Sequence, residues 1–351
     1  MSYTPYNAPL LGPILGDDEA AAFFGVKADI QAMLKFEAAL AQTQAQLGMI
    51  SSNAADEIMS VIDAYQPDIQ GFQTAIARDG LVVPELIKRL RSKISDKNAG
   101  SLHFHCTSQD VIDTSAMMRM QKCTDLIEMR LSELSNKLIS LHKANGQNSF
   151  MAHTRMQAAL PTTASDRIGL WADPIPPLLK LSKDMAFPVQ LSGPIGSAKA
   201  YEGNAKQLIE LITQELALDI PELSWQANRS PVLKIAEWLV KLSAHLGKIG
   251  TDIALMAQMG EDQIVLSGGG GSSAMAHKKN PVLAETLITL ARFNATQISG
   301  VHHAMLHEQE RSGSAWMLEW MIMPQIFVTT AAALRNTNLL IESIERIGSP
   351  T

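Results

Sequence analysis

Three stretches of the chain gather side chains suited to holding and protonating a small polyanion. The first is His103-Phe104-His105-Cys106-Thr107-Ser108-Gln109-Asp110, set just ahead of a long helical pattern. Hydroxyls such as those of Thr107 and Ser108, beside the free backbone N–H groups of a helix start, make an anion site. Taken alone, the same Thr, Ser and Asp are also what any helix N-cap prefers. The second is His153-Thr154-Arg155-Met156-Gln157, followed by Pro161-Thr162-Thr163. An imidazole titrating near neutrality, next to hydroxyl and guanidinium donors, suits proton transfer on a carboxylated substrate. A solvated surface loop between two helices would carry the same residues without chemistry.

The third stretch runs from Ser267 through Gly268, Gly269, Gly270 and Gly271 to Ser272, Ser273, Met275, Lys278, Lys279, Asn280 and Pro281. Consecutive glycines carry a high conformational-entropy cost that a purely structural loop has little use for. They suit a mobile flap that closes over a ligand and brings backbone N–H groups against it. No Gly-Lys-Ser/Thr follows the glycines and no strand pattern precedes them, so the phosphate-loop and dinucleotide fingerprints both fail. His303 and His307 stand one helical turn apart beside Glu308, and His103 and His105 form another pair. Neither has the His-Glu-x-x-His order or a third ligand set, so no metal is expected.

The elements that must position these residues are long helices. Met117, Met120, Thr124, Ile127, Leu131, Leu134, Leu138 and Leu141 alternate steps of three and four, and so do Val232, Ile235, Leu239, Leu242, Leu246, Ile249, Ile253 and Met256. That average spacing of about 3.5 is the seam of helices packed at shallow angles in a bundle. Ser230-Pro231 and Asn280-Pro281 read as an N-cap followed by a first-turn proline. A third long segment, residues 282–311, is apolar on more than one side (Leu283, Leu287, Leu290, Ile298, Val301), which predicts burial in a core or between subunits. Shorter patterns such as residues 30–40 suggest a smaller N-terminal helical domain over residues 1–101, with a central bundle domain over 102–345 carrying all three stretches. Alternating β-branched patterns are scarce, and the predicted fold class is all-α.

Composition narrows the partners. Lys plus Arg is 29 against 35 Asp plus Glu, a net charge of −6, with no basic runs, which disfavours nucleic acid. Hydrophobic residues are 46% and charged residues 18% of the chain, too apolar for disorder and suggestive of a homo-oligomer. Cys106 and Cys123 are too few for a disulfide framework. No basic-then-apolar leader pattern and no run of about 18 uncharged apolar residues is evident, so the expectation is a cytoplasmic protein without a membrane partner.

The three stretches, in this order, resemble the fumarase/aspartase superfamily, which joins a Thr-Ser-x-Asp segment, a His-Thr segment and a Gly-Ser-Ser-x-Met-x-x-Lys-x-Asn loop. Gly271, Ser272, Ser273, Met275, Lys278, Asn280 and Pro281 all stand in place, while Ala276 replaces the usual proline. Within the superfamily the chain is most similar to the bacterial 3-carboxy-cis,cis-muconate cycloisomerases. That likeness is carried by residues 36–41, 107–115, 277–281 and 310–316, together with Glu319-Trp320. It extends from about residue 15 to about residue 330 and departs at Gln226, where a His is expected after Trp225. With 80 residues after Gly271, the customary C-terminal helical domain is expected to be missing or vestigial.

The resemblance implies lactonisation of a tricarboxylate by intramolecular addition of a carboxylate to a carbon–carbon double bond. The alternatives are a fumarate-releasing lyase of the adenylosuccinate or argininosuccinate type, or a helical scaffold without chemistry. It implies Ser272 as proton carrier, with Lys278 stabilising its alkoxide and His153 as the competing proton donor. Ser273, Met275 and Asn280 would bind the substrate from the loop, Thr107 and Ser108 from the helix start, and Thr154, Arg155 and Gln157 from the His-Thr segment. Arg311 would offset negative charge. No cofactor or metal is implied, and sites shared between the subunits of a homotetramer are.

Overall fold

The computed structural model describes residues 4–271, 273–275 and 277–350. It is dominated by helices. The N-terminal part contains α1 (Gly12–Leu15), α2 (Asp18–Ala22), α3 (Val26–Gln46), α4 (Ser52–Asp63), α5 (Ile69–Asp79) and α6 (Val83–Arg91). The bundle begins with α7 (Ser108–Asn145), and a hairpin of β1 (Ser149–Thr154) and β2 (Gln157–Thr163) leads to α8 (Ala164–Ala172) and α9 (Ile175–Lys183). After α10 (Ala205–Leu216) come α11 (Ser230–Met256), β3 (Ile264–Leu266), α12 (Val282–Ala304), α13 (Gly313–Glu342) and β4 (Ile344–Ile347).

The seam positions of α7 and α11 are buried as their spacing predicts, with Leu131, Leu134, Leu138, Leu239, Leu242 and Leu246 fully excluded from solvent. Two small residues set the α11–α12 distance. A Cβ on Gly247 would stand 2.5 Å from the Ala291 Cβ, and one on Gly250 would stand 2.7 Å from the Ala284 carbonyl oxygen. Where α11, α12 and α13 meet, the polar core is satisfied. Asn294 Nδ2 donates to Ser243 Oγ (2.7 Å), and Thr329 Oγ1 donates to Asn294 Oδ1 (2.7 Å).

Bonds at the two ends give the helix directions. At one end the starts of α7, α11 and α13 converge, because Arg229 contacts both Asp113 and Glu319. At the other end Lys137 of α7 pairs with Glu342 of α13, and Asn145 Oδ1 accepts the Ile347 N–H. These three helices run parallel, and α12 returns between them. Near the far end β3 and β4 pair antiparallel, and Ser149 bridges to Ser349.

Several boundaries depart from the sequence expectation. Ser230 and Pro231 lie inside α11 and Arg229 is its N-cap, while Pro281 rather than Asn280 caps α12. The third segment does not remain helical to Arg311. It ends at Ala304, leaving residues 305–312 as a connector with Gln309 at φ 52°. The His-Thr segment is a β-hairpin rather than a loop between helices, so the all-α architecture carries two small antiparallel ladders. Among the described residues one helix, α13, is long and apolar enough to cross a membrane by length and hydropathy, but 67% of that window is buried inside the structure.

Candidate functional site

Thr107 is the N-cap of α7, and its backbone N–H donates to Asp110 Oδ2 at 3.1 Å. Asp110 is fully buried and also accepts the Ser192 N–H (2.8 Å) and the Gly193 N–H (3.1 Å). Burial pushes its carboxyl up to about 6, against the opposing pull of those backbone donors. The Thr107 hydroxyl accepts a bond from Arg311 Nη2 at 2.9 Å, and Arg311 Nε donates to Gln109 Oε1 at 2.9 Å. The connector after α12 therefore brings a guanidinium onto the start of α7. Ser108, the first helical residue, is half-buried beside it.

Arg311 is held there by a network that sequence reasoning missed. Gln109 Nε2 donates to the Gln226 carbonyl (2.8 Å) and to Asp113 Oδ2 (3.1 Å), while Gln226 Nε2 donates to the Glu310 carbonyl (2.9 Å). Gln226, the departure from the superfamily pattern, thus pins the segment that carries Arg311. Behind it, Arg229 makes two bonds to Asp113 (2.7 and 3.0 Å) and two to Glu319 (2.8 and 2.7 Å). The Trp316 indole N–H adds a bond to Asp113 Oδ1 at 2.9 Å. Burial by itself would lower the Arg229 guanidinium, but the two carboxylates more than offset this and hold it above its usual value. Burial also works to raise Glu319, yet Arg229 holds its carboxyl below the ordinary range. The available signal was a pair of acidic residues, Asp110 and Asp113, inside an apolar helical run, since buried charges demand partners.

The other candidate residues sit at the opposite end of the bundle. His153 pairs across the hairpin with Ala158, and Thr154 with Gln157, so Arg155 and Met156 form a two-residue turn. Both have positive φ (50° and 64°), the conformation such turns require and usually obtain from Asn-Gly. Thr154, Arg155 and Gln157 are exposed at this tip. His153 Nδ1 lies 3.1 Å from the Met151 carbonyl, and its Nε2 is 3.7 Å from Glu261 Oε2. Gln263 Nε2 donates to Glu261 Oε2 (3.1 Å) and to the Met151 carbonyl (3.2 Å), bracing that pair. Neither Glu261 nor Gln263 was singled out from sequence.

The glycine-rich loop leaves β3 at the same end. Gly270 and Asn280 exchange backbone hydrogen bonds of 2.9 Å, closing the loop's base ahead of α12. A Cβ on Gly270 would lie 2.5 Å from Val282 Cγ2, so glycine is required at that position. Ser273, Met275 and Lys278 are exposed, and Asn280 is half-buried. Ser272 and Ala276 lie outside the described residues.

The chain thus separates its candidate residues into two groups. Thr107, Ser108 and Arg311 stand at the start of α7; His153 and the loop stand beyond its end. The 38 residues of α7 span roughly 57 Å. The return from Ser149 to His153 recovers at most about 14 Å of that. His303 and His307 do not share a helix face either, because α12 ends between them, and His307 is instead buried 3.8 Å from Glu319.

Fold and residues together define an all-α bundle enzyme of the fumarase/aspartase superfamily. A family profile described as Lyase matches residues 17–300, and the chain belongs to that lyase family. It is 31% identical over 337 residues to a 3-carboxy-cis,cis-muconate cycloisomerase of Bradyrhizobium diazoefficiens, covering 93% of this chain and 74% of that one. A nitrosuccinate lyase of Streptomyces davaonensis is 30% identical over 90% of this chain and 70% of its own length. Among solved structures, the 3-carboxy-cis,cis-muconate lactonizing enzyme of Pseudomonas putida superposes with a TM-score of 0.90 at 28% identity, covering 97% of this chain and 77% of that one.

Proposed function

We propose that this chain is a cycloisomerase that lactonises 3-carboxy-cis,cis-muconate to 4-carboxymuconolactone, working as a homo-oligomer, a tetramer, in which each site draws residues from several copies. The observation that carries this reading is the docking of Arg311 onto Thr107 and Gln109. That segment, residues 310–316, is one of those through which the chain resembles the cycloisomerases, and in this reading it supplies charge to an anion-binding helix start. Likeness to the Bradyrhizobium and Pseudomonas enzymes supports the same reading.

In this scheme one substrate carboxylate oxygen forms a bond to a diene carbon. The displaced π pair moves onto a neighbouring carboxylate as an enolate-like dianion, and one proton is added at the α carbon. Nothing leaves, so a trianion plus a proton becomes a dianionic lactone. The attacking carboxylate needs no base, and catalysis rests on stabilising the enolate-like charge with preorganised donors. Those are the loop N–H groups around Ser272 and Ser273, with Lys278 and Asn280. Thr107, Ser108 and Arg311 hold another carboxylate. Thr154, Arg155, Gln157 and Met275 close the site from the hairpin and the loop. Ser272 is assigned the proton, its alkoxide stabilised by Lys278 and the start of α12. His153, whose Nε2 lies 3.7 Å from Glu261 Oε2, is the competing donor. No cofactor or metal enters the scheme.

The test is the ultraviolet absorbance of 3-carboxy-cis,cis-muconate, because lactonisation destroys the conjugated diene. Enzyme-dependent loss is expected from the parent; abolition by Ser272→Ala with turnover surviving in His153→Ala would keep the proton on Ser272, and the reverse pattern would move it to His153. The likeness to nitrosuccinate lyase favours a second reading, elimination of fumarate from a substituted succinate. Fumarate release from such a compound, with the diene untouched, would establish it instead.

A further inference from the structure

A pocket of about 460 Å³ opens beside the start of α7, on a wall that does not include Arg311. Its floor is the apolar side of α6, and its polar lining is Lys88, Arg91, His103 and Ser108. Lys88 and Arg91 are three residues apart in the last turns of α6, which places them on neighbouring positions of one helix face. Both are exposed, and among the described residues neither forms an ion pair. Arg91 is oriented by its Nη2 bond to the Leu102 carbonyl at 2.9 Å, which ties the guanidinium to the loop leading into α7.

His103 completes the cluster. It is half-buried with φ 60°, and its Nδ1 lies 2.6 Å from Glu37 Oε1, a carboxylate wholly buried in α3. This contact turns the opposite ring nitrogen away from Glu37. Burial works to lower the imidazole pKa, but the Glu37 carboxylate, helped by Asp110, outweighs burial and Arg91 and holds it above the ordinary value. Other acids nearby are engaged elsewhere: Asp110 accepts backbone N–H groups behind the loop, and Glu85 is bonded to Arg89 at 2.7 Å. Two cations, Lys88 and Arg91, and the Glu37-bound imidazole of His103 therefore line one cavity beside a helix-start hydroxyl, with no carboxylate in its lining.

We propose that Lys88, Arg91 and His103, beside Ser108, form a second anion subsite that takes one carboxylate of a tricarboxylate substrate and selects trianions over dianions. This assignment rests on the cycloisomerase reading above for the identity of the substrate, and it adds Lys88 and Arg91, which the three sequence stretches do not contain. Thr107 with Arg311 then holds one carboxylate and the α6 cluster holds another, on adjoining sides of the same helix start. A dicarboxylate would leave the α6 cations without a partner, and a ligand that satisfies them gains charge-assisted bonds on top of the shared contacts.

The probes are propane-1,2,3-tricarboxylate and glutarate, titrated calorimetrically into the full-length oligomer. The parent is expected to prefer the tricarboxylate by about tenfold or more at low ionic strength, with the preference eroding as salt is raised. Lys88→Gln/Arg91→Gln should remove most of that preference while glutarate affinity changes by less than about threefold. The charge-preserving Lys88→Arg/Arg91→Lys should retain the preference, which separates charge from packing. Both positions are exposed, so folding is expected to survive and is checked by an unchanged melting profile. A parent with no preference for the tricarboxylate, or a Gln variant that keeps it, overturns the assignment. A parent that prefers the tricarboxylate but leaves the muconate diene intact keeps the subsite and removes the cycloisomerase reading.

Discussion

Two variants that are each inactive should restore one another when mixed. Thr107→Val removes the hydroxyl at the start of α7, and Lys278→Ala removes the ammonium from the glycine-rich loop. Within one chain these positions lie at opposite ends of α7, whose 38 residues span roughly 57 Å. Arg229, the N-cap of α11, sits at the α7 start, and the 27 residues of α11 run about 40 Å from it. Gly250, toward the far end of α11, meets the start of α12, just after Lys278, a separation several times the length of a tricarboxylate. On the proposed function, a working site would then take its Thr107 group from one copy and its Lys278 group from another. If equal amounts are mixed and subunits exchange at random, each group is intact half the time, so about one quarter of sites regain both. Recovery should follow the product of the two fractions and peak at equal mixing. The assay is diene loss after co-refolding differently tagged variants, with hybrids isolated by sequential affinity steps. Verified hybrids with no recovery would refute the two-copy site, since a single-chain site leaves every site carrying one lesion.

Two further outcomes follow from the buried charges. Arg229→Met strands the Asp113 and Glu319 carboxylates in the core, which should cost about 3–5 kcal/mol. With an unfolding entropy of about 0.7 kcal/mol/K for 351 residues, calorimetry at fixed protein concentration should show the melting temperature lowered by about 4–7 °C. Adding Asp113→Asn and Glu319→Gln should recover much of this, and a single variant within about 1 kcal/mol of the parent would contradict the network's role. For Asp110, the folded carboxyl titrates at about 6, above its unfolded value. The folded state then binds the proton more tightly, so stability falls as pH rises from about 4 to about 6, by about 3 kcal/mol in all. Urea unfolding should show that fall in the parent and not in Asp110→Asn; parallel curves would rule it out.

The long helices were legible because their information is local. Leu131, Leu134, Leu138 and Leu141 lie on one helix face at any position in space, and periodicity alone reveals the seam. The residue types of the candidate site at the α7 start were legible for a similar reason, since a hydroxyl at a helix start faces free N–H groups whatever the surrounding fold. The turn at Arg155-Met156 was not: it lacks the glycine or asparagine that announces positive φ, and cross-strand pairing imposes the conformation. The end of α12 at Ala304 was hidden too, because no proline or glycine marks it.

The sequence by itself determined an all-α bundle, the three candidate stretches, and the superfamily. Tertiary structure alone decided which of those residues meet. Arg229 finds Asp113 across 116 residues and Glu319 across 90, and Arg311 finds Thr107 across 204. Such pairings depend on the direction in which each helix returns, which no local pattern records. The same return directions put Thr107 and His153 at opposite ends of the bundle. They also place Lys88 and Arg91, unremarkable in a short N-terminal helix, beside the start of α7.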